Sequence, residues 1–288
     1  RKTGDESYKA YIPVDLPPTP DIDIASIESL HSEACYFLGK LDSFNDLIPD
    51  IGLLVYMYVR KEALLSSQIE GTQSSFVEFL EAENSGGTSH LPGVLKQDIY
   101  DISNYIEAQD YGIERLQSLP LSLRLLREIH AVLLKKGRGS TKSPGEFRRS
   151  QNWIGGLRPS LAHFVPPPVD LMDDCLDNLE KFLYSNYPPL IKAAVAHVQF
   201  ETIHPFLDGN GRLGRLLMTL ILCHDGLLKK PILYLSLYLK THRKEYYEML
   251  SFVRETGQWE EWLSFFLRGV IETSKDAIQS AMDISDIF

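Results

Sequence analysis

Apolar residues recur at helical spacing along most of this chain. Between residues 24 and 41 they follow the three- and four-residue steps of one helix face, at Ile27, Leu30, Ala34, Phe37, Leu38 and Leu41. The same periodicity predicts helices over residues 50–71, 74–84, 94–115, 120–136, 169–185, 189–203, 212–224, 242–255 and 258–282. The chain is therefore predicted to be all-α.

Three stretches depart from the helical pattern. Residues 1–25 contain YIPVDLPPTPDIDI, whose prolines predict an extended arm. Residues 84–93, NSGGTSHLPG, have the composition of a loop. Residues 145–156, GEFRRSQNWIGG, have a strand-like centre and a double glycine, and AHFVPPPVDLM follows them. We interpret this third stretch as a surface hairpin and as the one β element of the fold.

Composition narrows the class of protein. The 288 residues suffice for one large domain or two small ones with a real core. The net charge of −10 is opposite to the basic surface of a general nucleic-acid binder, so nucleic acid is not an expected partner. Three widely spaced cysteines form neither a disulfide framework nor a zinc pattern. No apolar run approaches the roughly 20 residues of a membrane span, and no signal-peptide pattern opens the chain, so we expect a cytoplasmic protein without a membrane partner.

Residues 204–215, HPFLDGNGRLGR, concentrate the candidate chemistry. The letters GNGRLG match the G-x-G-x-x-G fingerprint of dinucleotide-binding folds, which follows a buried strand. Here the preceding segment, LIKAAVAHVQFETI, has its apolar residues on a helical face, and Pro205 ends that helix. Because the motif lacks a βαβ setting, the dinucleotide interpretation is rejected.

A glycine-rich turn at a helix start can bind an anion. Gly209 and Gly211 flank Asn210 and let the backbone curl with its N–H groups exposed. The next helix is predicted to begin near Arg212, and its N-terminal N–H groups and dipole favour negative charge. Arg212 and Arg215 suit a di- or triphosphate, although an arginine pair at such a place is also often solvated.

Two further side chains could serve a phosphate-transfer site. Asp208 beside bound phosphates makes sense as a Mg²⁺ ligand, and the alternative is an N-cap of the next helix. His204 lies near enough to act as a base on a substrate hydroxyl, or it is a structural residue at a helix end. Phe206 is expected to anchor the loop in the core.

The complete stretch matches the H-x-F-x-[DE]-G-N-G-R-x-x-R signature, and on these residues the chain resembles Fic-domain proteins of the Fic/DOC family. The segments GEFRRSQNWIG, FVPPP, RKEYYEML and WEEWLSFFL are also similar to that family, so the resemblance covers most of residues 20–275. It implies the Fic fold, a helical bundle with a β-hairpin flap. An N-terminal helical region at 1–115 would carry the inhibitory helix, and 116–288 would form the catalytic domain.

The resemblance implies transfer of AMP from ATP to a Ser, Thr or Tyr hydroxyl of a target protein, with release of pyrophosphate. By analogy, His204 is the general base and Asp208 holds Mg²⁺. Gly211 favours nucleotidyl transfer, because relatives with lysine there phosphorylate instead. The anion cradle and phosphate contacts fall to Gly209, Asn210, Gly211, Arg212 and Arg215, the last of which meets the γ-phosphate.

The stretch SSQIEG, where the second predicted helix ends, has two interpretations. Ser67 and Glu70 have the spacing of a capping box, but such a box opens a helix, whereas the apolar pattern ends here. The resemblance offers a second interpretation, because Ser66, Glu70 and Gly71 match the family's inhibitory motif [ST]-x-x-x-E-[GN]. Glu70 is then expected to pair with Arg215 and to inhibit in cis. In some relatives this glutamate also supports removal of AMP.

Two further assignments depend on the resemblance. The hairpin is expected to be a flap that pairs with an extended target segment, and the alternative is an ordinary surface hairpin. Tyr246 and Tyr247 line the adenine pocket in this interpretation, whereas two tyrosines on a helix are more often core residues. The flap residues are Gln151, Asn152, Trp153, Ile154 and Gly155.

Other functions remain open from the sequence. The predicted anion cradle would bind phosphates, and its residues do not indicate which nucleobase is preferred. Transfer of another nucleotide or of a phosphate group is therefore the second hypothesis. A nucleotide-sensing interaction module is the third. The expected partners are ATP, Mg²⁺ and a target protein with an acceptor hydroxyl, with self-modification and a homodimer as further options.

Overall fold

The computed structural model describes residues 2–3, 6–47, 51–85 and 91–285, and its regular structure is almost entirely helical. The all-α prediction is therefore confirmed. None of the described helices has both the length and the apolar composition to cross a membrane. Within these residues the α-helices are α1 (Glu28–Leu47), α2 (Ile51–Ile69), α3 (Phe76–Asn84), α4 (Gly93–Arg115), α5 (Leu123–Leu133), α6 (Val169–Leu183), α7 (Pro189–Ile203), α8 (Asn210–His224), α9 (Ser236–Thr241), α10 (Arg243–Thr256) and α11 (Glu260–Ser285).

Some elements differ from the sequence prediction. The apolar pattern does not predict α9, because six residues are fewer than two helical turns and show no periodicity. Two-residue antiparallel strands, β1 (Lys2–Thr3) and β2 (Glu6–Ser7), are a second β element beside the predicted hairpin, and their polar residues show no alternation. Pro49, before the second predicted helix, and residues 86–90 of the predicted loop lie outside the described residues.

The predicted hairpin is reduced to one antiparallel bridge, between Ile154 and Phe164. The Ile154 N–H donates to the Phe164 carbonyl at 2.8 Å, and the chain turns at Gly155 and Gly156, whose φ angles are 70° and 73°. Prolines at 166–168 have no N–H group, so the ladder cannot extend along that side. The flap is therefore a loop closed by a single bridge.

Helix α7 lies at the centre of the bundle. Its residues from Leu190 to Ile203 are all buried, whereas the sequence predicts only one apolar face. Helices α6, α8, α10 and α11 pack around it, and Trp262 of α11 donates its indole N–H to the Ala194 carbonyl at 3.0 Å. A helix enclosed on all sides gives a fixed support for the turn that follows it.

The N-terminal helices pack against the C-terminal half of the chain. Helix α1 lies against α11, and α2 contacts α4, α8 and α9, so all of them share one hydrophobic core. The extended arm is also tied down, because the Asn178 side chain accepts from the Leu16 N–H at 2.7 Å and donates to the Leu16 carbonyl at 3.1 Å. The division into regions 1–115 and 116–288 stays a prediction. Packing of α2 on α8 brings the two predicted motifs together.

Two buried tryptophans near the start of α11 provide a matched test of the core. The indole N–H of Trp262 donates to Ala194, whereas that of Trp259 has no partner in the described part of the chain. We expect Trp262→Phe to lower the free energy of unfolding by about 1–3 kcal/mol. Trp259→Phe should lower it less, because that change also removes an unsatisfied donor. Urea unfolding followed by circular dichroism measures both, and equal losses would contradict this explanation.

Candidate active site

The turn between α7 and α8 begins at His204, which ends α7 in the left-handed conformation. Its φ and ψ are 48° and 59°, a region that is uncommon for residues other than glycine, and its N–H donates to the Phe200 carbonyl at 2.9 Å. Two side chains of the flap loop hold the His204 carbonyl, Arg148 through Nε at 3.0 Å and Asn152 through Nδ2 at 3.2 Å. The position of the imidazole therefore depends on the flap loop.

The sequence analysis did not predict Arg148 as a site residue, yet it ties the flap loop to the end of α7. Its side chain is 2% exposed and donates to the main-chain carbonyls of His204, Ser150 and Pro167, the last at 2.5 Å. Burial lowers the pKa of Arg148 to about 10, so the guanidinium stays charged at neutral pH. Its place in GEFRRS, beside the predicted hairpin, is the sequence signal that could have pointed to it.

The side chain of Asn210 closes the loop from inside. Its Oδ1 accepts from the Phe206 N–H at 2.9 Å, and its Nδ2 donates to the Phe206 carbonyl at 2.8 Å. The Phe206 ring is fully buried and stacks on His130, with 3.7 Å between the ring centroids. The side chain of Asn210 thus shapes the loop, and a phosphate contact through its backbone N–H stays a prediction.

His130 on α5 braces the same loop and is also absent from the sequence prediction. Its Nδ1 accepts from the Gly145 N–H at 2.8 Å, so we assign the ring proton to Nε2, which donates to the Asp208 carbonyl at 2.9 Å. Burial lowers the pKa of His130 to about 4, which agrees with a neutral ring. The loop is therefore held from the α5 side as well as from the flap.

The loop and the end of α2 enclose a cavity of about 190 Å³. The first N–H groups of α8 have no acceptor within their own helix, as at every helix start. The cavity is smaller than the roughly 300–1,000 Å³ of most ligand pockets, so this structure represents a closed site. The predicted site residues that line it are Glu70, His204, Asp208, Gly209, Asn210, Gly211 and Arg212.

The His204 ring lies in this cavity in its neutral form. Its side chain is 20% exposed. Burial lowers the pKa of His204 to about 4. At neutral pH the ring therefore has a free nitrogen that can accept a proton from a substrate.

Arg212 is held between two carboxylates. Its side chain is 4% exposed, with Nη1 3.6 Å from Asp101 Oδ1 and Nη2 3.9 Å from Asp208 Oδ1. In the described residues Nη1 has no hydrogen-bond partner. A buried donor without a partner is unfavourable, so a phosphate oxygen in the cavity would be stabilised by it. Arg138, whose Nε lies 3.5 Å from Asp101 Oδ2, adds a second cation at the cavity wall.

Asp208 presents a single carboxylate to the cavity. Its Oδ1 accepts from the Gly209 N–H at 2.6 Å, and 33% of the side chain is exposed. The described residues contain no group of three or more acidic, His or Cys side chains that could hold a metal by itself. Mg²⁺ is commonly bound by one or two carboxylates together with substrate phosphates. Asp208 therefore fits a metal that binds together with a nucleotide.

Arg215 is engaged by the end of α2. Its side chain is 1% exposed, and it donates from Nε to Ser66 Oγ at 2.8 Å and from Nη2 to the Ser66 carbonyl at 3.0 Å and to Glu70 Oε1 at 2.7 Å. Burial alone would raise the pKa of Glu70, but the Arg215 guanidinium outweighs it and holds the pKa below its usual range. Both partners are thus ionised at neutral pH.

The absence of a side chain at Gly211 makes the approach of Glu70 possible. A Cβ atom at this position would lie 2.2 Å from Glu70 Oε1, closer than non-bonded carbon and oxygen atoms approach, so the carboxylate would have to move. Gly211 and Glu70 are therefore sterically matched. The sequence analysis assigned Gly211 to the anion cradle and to the type of transfer reaction, but not to the approach of Glu70.

A further carboxylate anchors α2. Glu62, Ser66 and Glu70 follow one another at four-residue steps, so they share one side of the helix. Glu62 is 4% exposed and accepts from the Ser236 N–H at 3.0 Å and from its hydroxyl at 2.5 Å. Glu62 is a further residue that the sequence prediction missed, and the four-residue spacing is the signal that could have found it.

The two tyrosines of α10 have different environments. Tyr246 is 1% exposed, its hydroxyl lies 2.8 Å from His197 Nε2 and its ring packs beside Trp262. Tyr247 is 40% exposed, with the Arg243 guanidinium 5.5 Å from its ring centroid. The surroundings of Tyr246 correspond to those of a core residue. For both tyrosines, contact with adenine stays a prediction.

The predicted flap residues divide into two groups. Gln151 donates to a carbonyl of the proline run at 3.0 Å, and Asn152 braces the turn as described above. Trp153 and Ile154 are 39% and 36% exposed, and Gly155 has a φ of 70°. The first two residues thus support the site, whereas the next three face solvent. Docking of a target on them stays a prediction.

Two family models match this chain. The model of the Fic/DOC family matches residues 120–222, and that of the Fic/DOC family N-terminal region matches residues 29–114. A protein of Aedes aegypti named Protein adenylyltransferase Fic is 36% identical over 141 residues, which are 47% of this chain and 25% of that protein. The protein of the same name in Drosophila willistoni is 35% identical over 144 residues, 49% of this chain and 26% of its own. The match thus spans about a quarter of the length of these relatives.

Solved structures share the fold. A Fic family protein from Desulfovibrio desulfuricans superposes with a TM-score of 0.72 at 21% identity, over 95% of this chain and 77% of the other. A Fic domain containing signaling protein from Bacteroides thetaiotaomicron gives a TM-score of 0.66 at 18% identity, over 89% of this chain and 97% of the other. At these identities the likeness concerns the fold.

Removal of Glu70 should leave Arg215 buried without its carboxylate. We expect Glu70→Gly to lower the free energy of unfolding by about 1–3 kcal/mol, less than for a fully buried pair because 36% of the Glu70 side chain is exposed. Added pyrophosphate should raise the melting temperature of this variant more than that of the unchanged chain, since its charge replaces the carboxylate. Differential scanning calorimetry measures both.

The double variant Glu70→Gly, Arg215→Ala is the control for this effect. It should lose most of the pyrophosphate response, because the buried cation is gone. An equal response in the single variant and the unchanged chain would show that Glu70 does not block an anion site.

Proposed function

We propose that this chain, which belongs to the Fic/DOC family, is a protein adenylyltransferase that its own Glu70 holds in an inhibited state. The proposal rests on the set of side chains and N–H groups that line one cavity. A neutral imidazole, a carboxylate, a glycine-rich helix start and a buried arginine with a donor that makes no hydrogen bond among the described residues all meet there. The relatives named Protein adenylyltransferase Fic support the same assignment.

In the proposed reaction a Ser, Thr or Tyr hydroxyl of a target protein attacks the α-phosphorus of ATP. His204 accepts the hydroxyl proton as the new oxygen–phosphorus bond forms. The bond from the α-phosphorus to the oxygen bridging it to the β-phosphate breaks, and pyrophosphate leaves. A base of this kind contributes about 10²–10⁴-fold to the rate.

The start of α8 is proposed to position the phosphates. The N–H groups of Asn210 and Gly211, together with Arg212 Nη1, which has no hydrogen-bond partner among the described residues, can donate to phosphate oxygens. Asp208 would hold Mg²⁺, which neutralises phosphate charge when it is bound. Fixed donors of this kind also hold the α-phosphorus in line with the attacking hydroxyl.

Inhibition is proposed to follow from competition for Arg215. While Glu70 pairs with it, a γ-phosphate has no partner, and the carboxylate occupies the space beside Gly211. One-sided breaking of a largely buried ion pair is unfavourable. The inhibited state therefore persists until a ligand or a partner takes the place of Glu70.

The remaining predictions concern partners and location. The exposed residues from Trp153 to Gly155 are proposed to dock an extended segment of the target protein, which is the substrate class implied by this chemistry. Removal of AMP by the same site, self-modification, a homodimer and a cytoplasmic location stay predictions.

ATP labelled at the α-phosphate, or separately at the γ-phosphate, distinguishes the candidate reactions. With Mg²⁺ and a protein mixture as acceptor, we expect Glu70→Gly to leave protein-bound label from the α-position only. The yield should exceed that of the unchanged chain by about tenfold or more, as expected if the lost pair stabilises the off state by about 1.4 kcal/mol. Label from the γ-position would instead indicate phosphate transfer.

The matched control is Glu70→Gly, His204→Ala, which keeps the open cavity but lacks the base. It should bind ATP with similar affinity and transfer no label. Binding of ATP by Glu70→Gly without any transfer would favour a nucleotide-sensing module over an enzyme.

A further inference from the structure

Glu201 is a buried carboxylate that the proposed reaction does not use. It lies in the last turn of α7 and is 7% exposed. Its Oε1 has no hydrogen-bond partner in the described residues. Buried carboxylates are seldom left in this state, and those that are tend to lie at functional sites.

The carboxylate of Glu201 faces the candidate base. Its Oε2 lies 4.0 Å from His204 Nδ1, and Nδ1 has no hydrogen-bond partner of good geometry in the part of the chain that the structure describes. The main-chain carbonyl of Glu201 also lies beside the ring and raises the pKa of His204, so it is a second acceptor for the same proton. Glu201 precedes His204 by one helical turn, so both side chains lie at the same end of α7. A shift of about 1 Å would bring the two atoms to hydrogen-bond distance.

Gly214 on α8 provides the space for this carboxylate. A Cβ atom there would lie 2.7 Å from Glu201 Oε1. Position 214 is unspecified in the H-x-F-x-[DE]-G-N-G-R-x-x-R signature, yet in this chain any side chain would displace Glu201. The glycine and the glutamate are therefore matched by their packing.

The charges around Glu201 allow it to ionise near neutral pH. Burial raises its pKa to about 7, two cations oppose this rise and a carboxylate adds to it. Below about pH 7 the group is protonated, and above it the group is a carboxylate that can accept a hydrogen bond. The charged and titratable groups that face Glu201 or His204 are Arg215 of α8, Arg254, Tyr246 and Tyr247 of α10, His197 of α7, Glu70 after α2, and Arg148 of the flap loop.

We infer that Glu201 is a positioning residue for His204, whose carboxylate accepts a hydrogen bond from Nδ1–H and so leaves Nε2 free to take the substrate proton. A neutral imidazole has a single N–H, and a carboxylate at Nδ1 selects the tautomer with the proton there. The same carboxylate stabilises the imidazolium that forms once Nε2 is protonated. The catalytic part of this inference rests on the proposed function, but the expected position of the His204 proton on Nδ1 does not.

Nitrogen-15 NMR of the labelled histidine rings tests the tautomer without any reaction. At about pH 8 we expect the unchanged chain to show His204 with its proton on Nδ1, and lowering the pH through about 7 should shift this signal as Glu201 is protonated. The absence of the His204 signal from His204→Ala assigns it. In Glu201→Gln the shift near pH 7 should disappear, and in Gly214→Ala it should be displaced or lost.

Glu180→Gln is the matched control, since Glu180 is a half-buried carboxylate on α6 that accepts from the Leu123 N–H at 2.7 Å. It should leave the His204 signal unchanged. A proton on Nε2 at about pH 8 in the unchanged chain, or a shift near pH 7 that persists in Glu201→Gln, would overturn the inference.

Kinetics then separates this inference from the proposed function. In the Glu70→Gly background, Glu201→Gln should lower kcat about tenfold or more and leave KM for ATP within about twofold, because only the base is affected. With Glu201 present, kcat should rise with pH through about 7 as the carboxyl group loses its proton, and this rise should be absent in Glu201→Gln. If the tautomer changes as expected but no variant transfers AMP, the proposed function fails while the role of Glu201 in orienting His204 stands.

Discussion

The guanidinium group of Arg215 is the constraint on which the arrangement of the site depends. It is 1% exposed, and a buried cation must be matched by acceptors wherever the chain can supply them. Ser66 and Glu70 supply them from the end of α2, which fixes that helix against α8. The proposed inhibition would therefore depend on a buried contact, and an activating ligand would have to satisfy the same cation.

The turn after α7 depends on a second set of contacts. His204 adopts a strained backbone conformation that its own sequence neighbours do not enforce. Arg148 and Asn152 hold its carbonyl, and Asn210 and His130 hold the rest of the loop. Because these side chains come from three separate parts of the chain, the candidate base is positioned by packing and not by local propensity.

The resemblance of the sequence to Fic proteins is confirmed by the two family models, and the all-α class by the structure. Both could be predicted because they rest on local information, namely a contiguous motif and helical periodicity. The residues that support the site could not be predicted in this way. Spacing could have pointed to Glu62 and position beside the flap to Arg148, but only the burial of Glu62, Arg148 and Glu201 in the structure shows that they support the site.

By itself the sequence determined where the helices other than α9 lie, where the chain turns after Pro205 and which chemical groups the turn carries, since these follow from the residue types and their spacing. Only the tertiary structure decided that α7 is enclosed on all sides, that Tyr246 lies in the core and that Gly211 leaves the space for Glu70 to reach Arg215. The physical reason is that burial and electrostatic pairing depend on which surfaces meet. That choice is made by the whole core, through shape and volume that no short stretch of sequence encodes.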